Sequence, residues 1–302
     1  MKTFLIMVKR NTKLFFKDKG LFFTSLITPL ILLVLYATFL SNVYKDSFLK
    51  TMPEGVIIPP KEVINGFVGG QLMSSLLAVS CVTVSFCSNM LMVQDKVSGA
   101  HKDFLITPIK RSTMAFGYYI STTISTLIIC TVALGACLVY VGIIGWYLSA
   151  VDVLLLLLDL FLLVSFGTAL SSVINFFLSS QGQISAVGSI VSSCYGFICG
   201  AYMPLSSFSQ GLRDVIMFLP GTYGTSLLRN HAMAGVFKEM GNYLPESALS
   251  AVKDAVDCNL YFFEKQVDIS TSLIVTCLSV VVLIAVYVLL NVLSNRKIKN
   301  KR

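Results

Sequence analysis

Few residues of this chain have the types and spacing that catalysis requires. Its two histidines are His101 and His231, and a Ser-His-Asp set around His231 would depend on Asp214, with no spacing to support it. The sequence contains no GxxxxGKS/T loop for ATP phosphates, no HExxH and no GxSxG. It therefore predicts no catalytic residue, no cofactor and no metal site in this chain.

The cysteines do not change that prediction. There are eight, and seven of them lie inside apolar runs, while Cys258 lies in a polar segment. They form no CxxC pair and no Cys/His spacing typical of a metal site or of a disulfide framework. We interpret them as small apolar side chains that fill space between helices.

Asp159 is the notable ionisable residue within an apolar run. It follows Asp152 by seven residues, which places it about 10 Å along a helix from that boundary. An acid inside a membrane suggests proton coupling or substrate contact. The alternative, which we favour, is an acid near the outer interface that is hydrated or hydrogen-bonded to a neighbouring helix.

The composition predicts an all-α integral membrane protein. Of 302 residues 55% are hydrophobic and only 13% charged, and the mean hydropathy is +0.80, which excludes a soluble enzyme, a disordered chain and a disulfide scaffold. A spanning helix needs about 20 apolar residues. Six runs qualify in what we take as a single transmembrane domain, residues 1–302: 21–40, 67–93, 114–144, 153–178, 184–203 and 269–293.

The charges predict the orientation. With both termini in the cytoplasm, the inside segments carry 15 of the 23 lysines and arginines and three acids, as the positive-inside rule requires. The net charge of +8 therefore reflects membrane topology and lipid contact, and we expect no nucleic-acid partner. Residues 1–20 place aromatic and basic residues on opposite faces, which predicts an interfacial amphipathic helix.

The inside segment 94–112 is longer than a turn requires. A short amphipathic helix fits Val97–Ile106, and Pro108 ends it. The excess length indicates a docking element for a cytoplasmic partner.

Two outer segments differ in character. Ser41–Gly66 is predicted to be an ordinary surface loop. In 204–268, short apolar stretches are interrupted by Gly211, Pro220 and Gly221, which favours a re-entrant hairpin, although a hairpin lying flat on the outer surface also fits. Glu246–Cys258 is predicted to form a short exposed helix.

The run 184–203 is rich in glycine and serine, which lets helices approach closely. Its aromatic residues Tyr195, Phe197 and Tyr202 could line a path for a lipid-like substrate or could simply pack against neighbours. Asp159 is the other candidate for such a translocation path.

The inside segment DKVSGAHKDFLITPIKR resembles the corresponding loop of ABC-2 type transporter permease proteins, the transmembrane subunits of type V ABC exporters. Ala100 and Lys102 depart from the Thr and Glu usual in that family. A second match lies in the outer segment, and the two together with the six runs cover nearly the whole chain. The positions in the first match are Asp95, Gly99, Leu105, Thr107, Pro108 and Arg111, and those in the second are Pro204, Leu212, Pro220, Tyr223 and Arg229.

The resemblance implies a specific function. Such permeases form homodimers or heterodimers and bind two cytoplasmic ATP-binding cassette ATPase subunits, so ATP and Mg²⁺ belong to the partner chain. The inside loop, with His101 and Phe104 in addition to the matched residues, would be the coupling helix. The implied substrate is a drug, lipid, peptide or glycan carrier exported across a plasma membrane, most typically bacterial.

Two other functions remain as alternatives. A membrane-embedded lipid-modifying enzyme would depend on Asp152, Asp159 and His231, which form a weak set. An ion-coupled secondary carrier or channel would be expected to show inverted repeats or intramembrane charges, and Asp159 is the only candidate.

Overall fold

The computed structural model describes residues 2–35, 38–39, 41–51, 58–107 and 109–299. This part of the chain is almost entirely helical. The first helices are α1 (Lys2–Lys17), α2 (Lys19–Leu35), α3 (Ser41–Thr51), α4 (Lys61–Val97), α5 (Ala100–Ile106), α6 (Arg111–Ile144) and α7 (Ala150–Phe177). They are followed by α8 (Gln181–Ile198), a 3₁₀ turn (Leu205–Ser207), α9 (Gln210–Ile216), α10 (Pro220–Met240), α11 (Glu246–Ala255) and α12 (Ile269–Lys299).

Helix α4 forms the centre of the molecule. Nearly every side chain from Val63 to Val93 is buried, and the helix packs against α2, α6, α7, α8 and α10. Gly70 allows the closest approach to α10, because a Cβ there would lie 2.9 Å from the carbonyl oxygen of Ala232. The low side-chain volume along α4 thus lets five helices surround it.

Within the described residues, four helices are long and apolar enough to cross a membrane: α4, α6, α7 and the Ile269–Leu293 part of α12. Their outward side chains are apolar; α12, for instance, exposes Ile274, Leu278 and Val281. In water such a surface would be unfavourable, whereas hydrocarbon chains solvate it. The chain is therefore a multi-pass membrane protein.

A fifth span would consist of α1 and α2 together, which are bent by 73° at Asp18. The Asp18 carboxylate accepts a hydrogen bond from the Leu21 amide and so begins α2. Helix α8 overlaps the predicted span 184–203 but has only 18 residues. It is less apolar than the most apolar stretches of α4, α6, α7 and α12 because it has two glutamines in its first turn and contains several serines. The count of six spans stays a prediction.

Helix α1 is in contact with the bundle. It packs against α6 and α2 and buries Met7, Val8, Asn11 and Phe15. Of the apolar face predicted for residues 1–20 (Phe4, Leu5, Val8, Phe15 and Phe16), Val8 and Phe15 are buried, whereas Leu5 is exposed. The amphipathic pattern therefore serves packing on the protein along at least part of the helix.

Two local expectations are corrected. Ser41–Gly66 is not a simple loop, because it contains α3 and the first turn of α4. The helix expected at Val97–Ile106 is interrupted: α4 continues through Val97, and a turn at Ser98 and Gly99 separates it from α5.

The outer segment is more ordered than its sequence indicates. Its longest helix, α10, packs between α4, α7 and α12. After α11, strands β1 (Leu260–Phe262) and β2 (Lys265–Val267) form an antiparallel hairpin in which Tyr261 lies opposite Gln266. Each strand has only three residues, which is too few for an alternating polar and apolar pattern to reveal a strand in the sequence.

Candidate functional site

The short helix α5 lies at the end of α4 and is positioned by its two flanking residues. Gly99 adopts a left-handed conformation (φ +88°), which side-chain-bearing residues rarely adopt. At the other end, the Thr107 hydroxyl donates to the Phe104 carbonyl oxygen at 2.6 Å. Gly99 and Thr107, two of the residues matched to the coupling loop, thus define where α5 begins and ends.

The two sides of α5 differ in exposure. Phe104 is half-buried against a cluster that includes Met7 and Tyr118, and the Arg10 guanidinium lies 5.0 Å from the centre of its ring. Ile106, in contrast, is 85% exposed, and Lys102 and Asp103 are exposed beside it. The outward surface of α5 is thus formed around Ile106. The Leu105 side chain and Pro108 lie outside the described residues.

Asp95 joins three helices just before α5. Its carboxylate accepts two hydrogen bonds from Arg10 of α1, at 2.6 and 3.0 Å, and one from the Tyr118 hydroxyl of α6 at 2.6 Å. Paired bonds between a guanidinium and a carboxylate are strong and directional. The sequence places Arg10 on the basic face of the interfacial helix, and an amphipathic pattern does not reveal a distant partner such as Asp95.

Lys96 was not singled out in the sequence, yet it holds the end of α7. Its ammonium donates to the carbonyl oxygens of Asn175, Phe176 and Leu178, at 2.9, 2.8 and 3.1 Å. A lysine at the carboxyl end of a helix satisfies unpaired carbonyls and interacts favourably with the helix dipole. This contact connects α4 to α7 beside α5.

His101 and Arg111 lie close to Lys96. All three line one cavity beneath α5. Burial lowers the pKa of His101 below its ordinary value, and the positive charges of Lys96 and Arg111 lower it further. His101 is thus predominantly neutral at pH 7.

On the opposite side of the bundle, the outer motif is centred on Arg229. Its guanidinium donates to the Asp257 carboxylate at 3.0 Å and to the Gly200 carbonyl oxygen, and both charged side chains are buried. Asp257 also accepts from the Leu205 amide at 3.0 Å. Burial raises the pKa of Asp257, although the Arg229 charge opposes that shift.

This arrangement connects the end of α8, the 3₁₀ turn and α10 to the segment after α11. Asp257 was missed by sequence analysis, because it lies 28 residues after Arg229 in a polar stretch without a motif. Its left-handed backbone (φ 54°) is a feature of the folded chain alone.

The other matched outer residues have local roles. Pro220 is the first residue of α10, a position that suits proline. The Tyr223 hydroxyl donates to the Met217 carbonyl oxygen at 2.7 Å. Pro204 precedes the 3₁₀ turn, and Leu212 lies partly exposed on α9.

Asp159 and His231 come together in the structure. The His231 Nδ1 lies 2.5 Å from Asp159 Oδ2, joining α7 to α10, and Asp159 is only 1% exposed. Within the described residues, no serine hydrogen-bonds to His231. Asp152 instead forms a capping box with Ser149 at the start of α7, and Asp214 lines a separate outer cavity.

The three aromatic residues at the end of α8 do not share one surface. Tyr195 is buried against the start of α10, where a Cβ on Gly221 would lie 2.6 Å from its hydroxyl. Phe197 is exposed, and its ring packs edge-on against Tyr202 at 5.2 Å. Tyr195 is therefore a packing residue in this conformation.

The described residues contain no group of three or more His, Cys, Asp or Glu side chains able to hold a metal ion. Residues 2–232 match the family model described as ABC-2 type transporter. No curated protein and no solved structure matches the chain.

Proposed function

The chain belongs to the ABC-2 type transporter family, and from this premise we propose that it is the permease subunit of an ATP-driven exporter. The partner would be an ATP-binding cassette ATPase that holds ATP and Mg²⁺. A second copy or a paralogue would complete the membrane dimer.

The observation that best supports this function is the exposure of Ile106 on α5, a helix held against the bundle through Phe104 and Arg10. At 85%, Ile106 is the most exposed large apolar side chain among the described residues, and it lies at the end predicted to face the cytoplasm, where no lipid would cover it. Its burial by a partner would therefore be favourable. We infer that α5 docks on the ATPase through Ile106, with Lys102 and Asp103 beside it.

The contacts around α5 provide a route for movement into the membrane. Phe104 and Arg10 connect α5 to α1, and Asp95 connects α1 to α4 and α6. A displacement of α5 by the ATPase would therefore reach three helices through hydrogen bonds and ring contacts. Since α4 is surrounded by five helices, its movement would rearrange the bundle.

The outer part would respond through α10. Its packing between α4, α7 and α12 supports the re-entrant arrangement and is less compatible with a hairpin that lies flat. We propose that rearrangement of the bundle opens an outward path for a hydrophobic or amphipathic substrate: a drug, a lipid, a peptide or a glycan carrier.

The charge pattern supports a topology with both termini and α5 in the cytoplasm, and the resemblance to the family suggests a bacterial plasma membrane. Purification of the tagged chain from its native membrane in mild detergent tests the assembly. We expect a stoichiometric soluble protein with a P-loop. Recovery without any ATPase, and no response to ATP, would contradict the proposal.

A substitution tests the docking surface. We expect Ile106→Asp to abolish ATPase association and transport while the permease still inserts and folds, because a charge on the contact surface would remain desolvated. Ile58→Asp is the matched control, since Ile58 is also exposed (60%) and lies in the predicted outer segment. Normal export by Ile106→Asp would show that α5 does not dock there.

A further inference from the structure

A cavity of about 160 Å³ lies beneath α5, where the ends of five helices meet. A water molecule occupies only about 30 Å³ in the liquid, so the cavity has room for a larger group. Its polar lining consists of Lys96, His101, Arg111, Tyr118, Tyr287 and Asn291.

The charge of this lining is positive. Lys96 and Arg111 each bring one positive charge, and none of the lining residues is Asp or Glu. Asp95, the last acid of α4, accepts hydrogen bonds from Arg10 and Tyr118 and does not line the cavity.

Lys96 in particular lacks an acidic partner. Its three acceptors are neutral carbonyl oxygens at the end of α7, and across the described residues no carboxylate lies within 4.0 Å of its ammonium. The helix end offsets the charge only in part. An anion in the cavity would therefore be stabilised by it.

Two further groups can donate hydrogen bonds into this space. His101 Nδ1 is buried and has no partner among the described residues, and it donates in the tautomer that carries its proton there. The Tyr287 hydroxyl lies 3.2 Å from the sulfur of Met92, which is a weak acceptor. An anionic oxygen would be a better acceptor for both.

We propose that this cavity binds a phosphate group, supplied either by the headgroup of an anionic phospholipid in the adjoining leaflet or by a free phosphate compound. The bound phosphate contacts α5 through His101 and α6 through Arg111. It thereby connects α5 to the ends of α4, α7 and α12. This binding is a property of the permease itself and does not depend on the ATPase partner.

Two binding measurements on the full-length chain in phosphatidylcholine nanodiscs distinguish the sources. In one, phosphatidylglycerol is added to the discs and the retained lipid is counted by native mass spectrometry. In the other, inorganic phosphate is titrated by calorimetry. Binding of phosphatidylglycerol alone assigns the site to a lipid headgroup, and binding of inorganic phosphate assigns it to a free phosphate. Binding in neither measurement overturns the proposal.

Neighbouring substitutions show whether the binding occurs in the cavity. Arg111→Gln and Lys110→Gln each remove one positive charge, but only Arg111 lines the cavity, whereas Lys110 is exposed. We expect Arg111→Gln to weaken binding about tenfold or more, as loss of a hydrogen bond to a charged group implies. Lys110→Gln should have less than about a twofold effect, because an exposed charge is screened.

His101→Gln provides an independent variant if Arg111→Gln does not fold. It alters a cavity donor without changing the charge at pH 7, and we expect binding to weaken severalfold. Equal effects of Arg111→Gln and Lys110→Gln, or unchanged binding in His101→Gln, would indicate general surface attraction and overturn the proposal.

Discussion

Phe104 and Ile106 are both apolar residues of α5, but their surroundings assign them different roles. Phe104 packs against the bundle beneath the Arg10 guanidinium, and Ile106 faces outward. A loss of coupling after substitution of Phe104 would therefore report on folding as much as on docking. Only Ile106 offers a test of the contact surface alone.

This difference predicts unequal effects of two matched truncations on stability. We expect Phe104→Ala to lower the free energy of unfolding by about 1–3 kcal/mol, less than for a fully buried phenylalanine, with loss of the ring contact to Arg10. Ile106→Ala should change it by less than about 0.5 kcal/mol. Thermal denaturation of the purified permease measures both, and equal shifts would contradict this assignment.

At the scale of elements, the buried ion pair between Arg229 and Asp257 joins α10 to the residues that follow α11. Arg229 also reaches Gly200 near the end of α8, and Ser226 and Asn230 of α10 both donate to the Cys258 carbonyl oxygen. These polar contacts fix α10 against both segments. Elsewhere, α10 packs closely against α4 and α7, and its His231 pairs with Asp159 of α7.

Removing one member of the Arg229–Asp257 ion pair leaves the other charged side chain buried without a partner of opposite charge. We expect Arg229→Met to destabilise the permease by about 3–5 kcal/mol, the range found when one partner of a buried ion pair is removed. The double variant Arg229→Met with Asp257→Asn should be more stable than Arg229→Met alone, because the uncompensated carboxylate is gone. The thermal midpoints of the two variants measure the difference, and a double variant that is no more stable would show that the ion pair is not the cause.

At the scale of the whole molecule, the two ends of the bundle differ in their use of charge. The end with α5 concentrates lysine and arginine, whereas residues 204–268 carry seven acidic and five basic residues. This asymmetry predicts that α5 and the β1–β2 hairpin lie on opposite sides of the membrane.

Cysteine labelling tests this topology. We expect Phe263→Cys in the hairpin to react with an impermeant maleimide in intact cells, and Ile106→Cys to react only after the membrane is opened. The native Cys258 should not interfere, since burial raises its pKa to about 12 and keeps it as the thiol. The chain without either substitution is the control, and labelling of both variants from the same side would exclude the predicted orientation.

Much of this architecture follows from composition and periodicity. Long apolar runs had to become helices that satisfy their own backbone in lipid, and α4, α6, α7 and α12 confirm this for four of the predicted spans. The motifs at 95–111 and 204–229 led to the ABC-2 family, which the match over residues 2–232 confirms. These predictions needed only features that can be read from residues close together in the chain: hydropathy, the positions of Gly and Pro, and the number of charges in each segment.

Only the tertiary structure decided which side chains meet. Arg10 pairs with Asp95, Asp159 with His231, and Arg229 with Asp257, over separations of 85, 72 and 28 residues. No local pattern encodes such contacts, because they depend on how helices rotate and pack around α4. For the same reason the sequence determined that α5 would carry apolar residues, and the packing of the bundle decided that Phe104 would face inward and Ile106 outward.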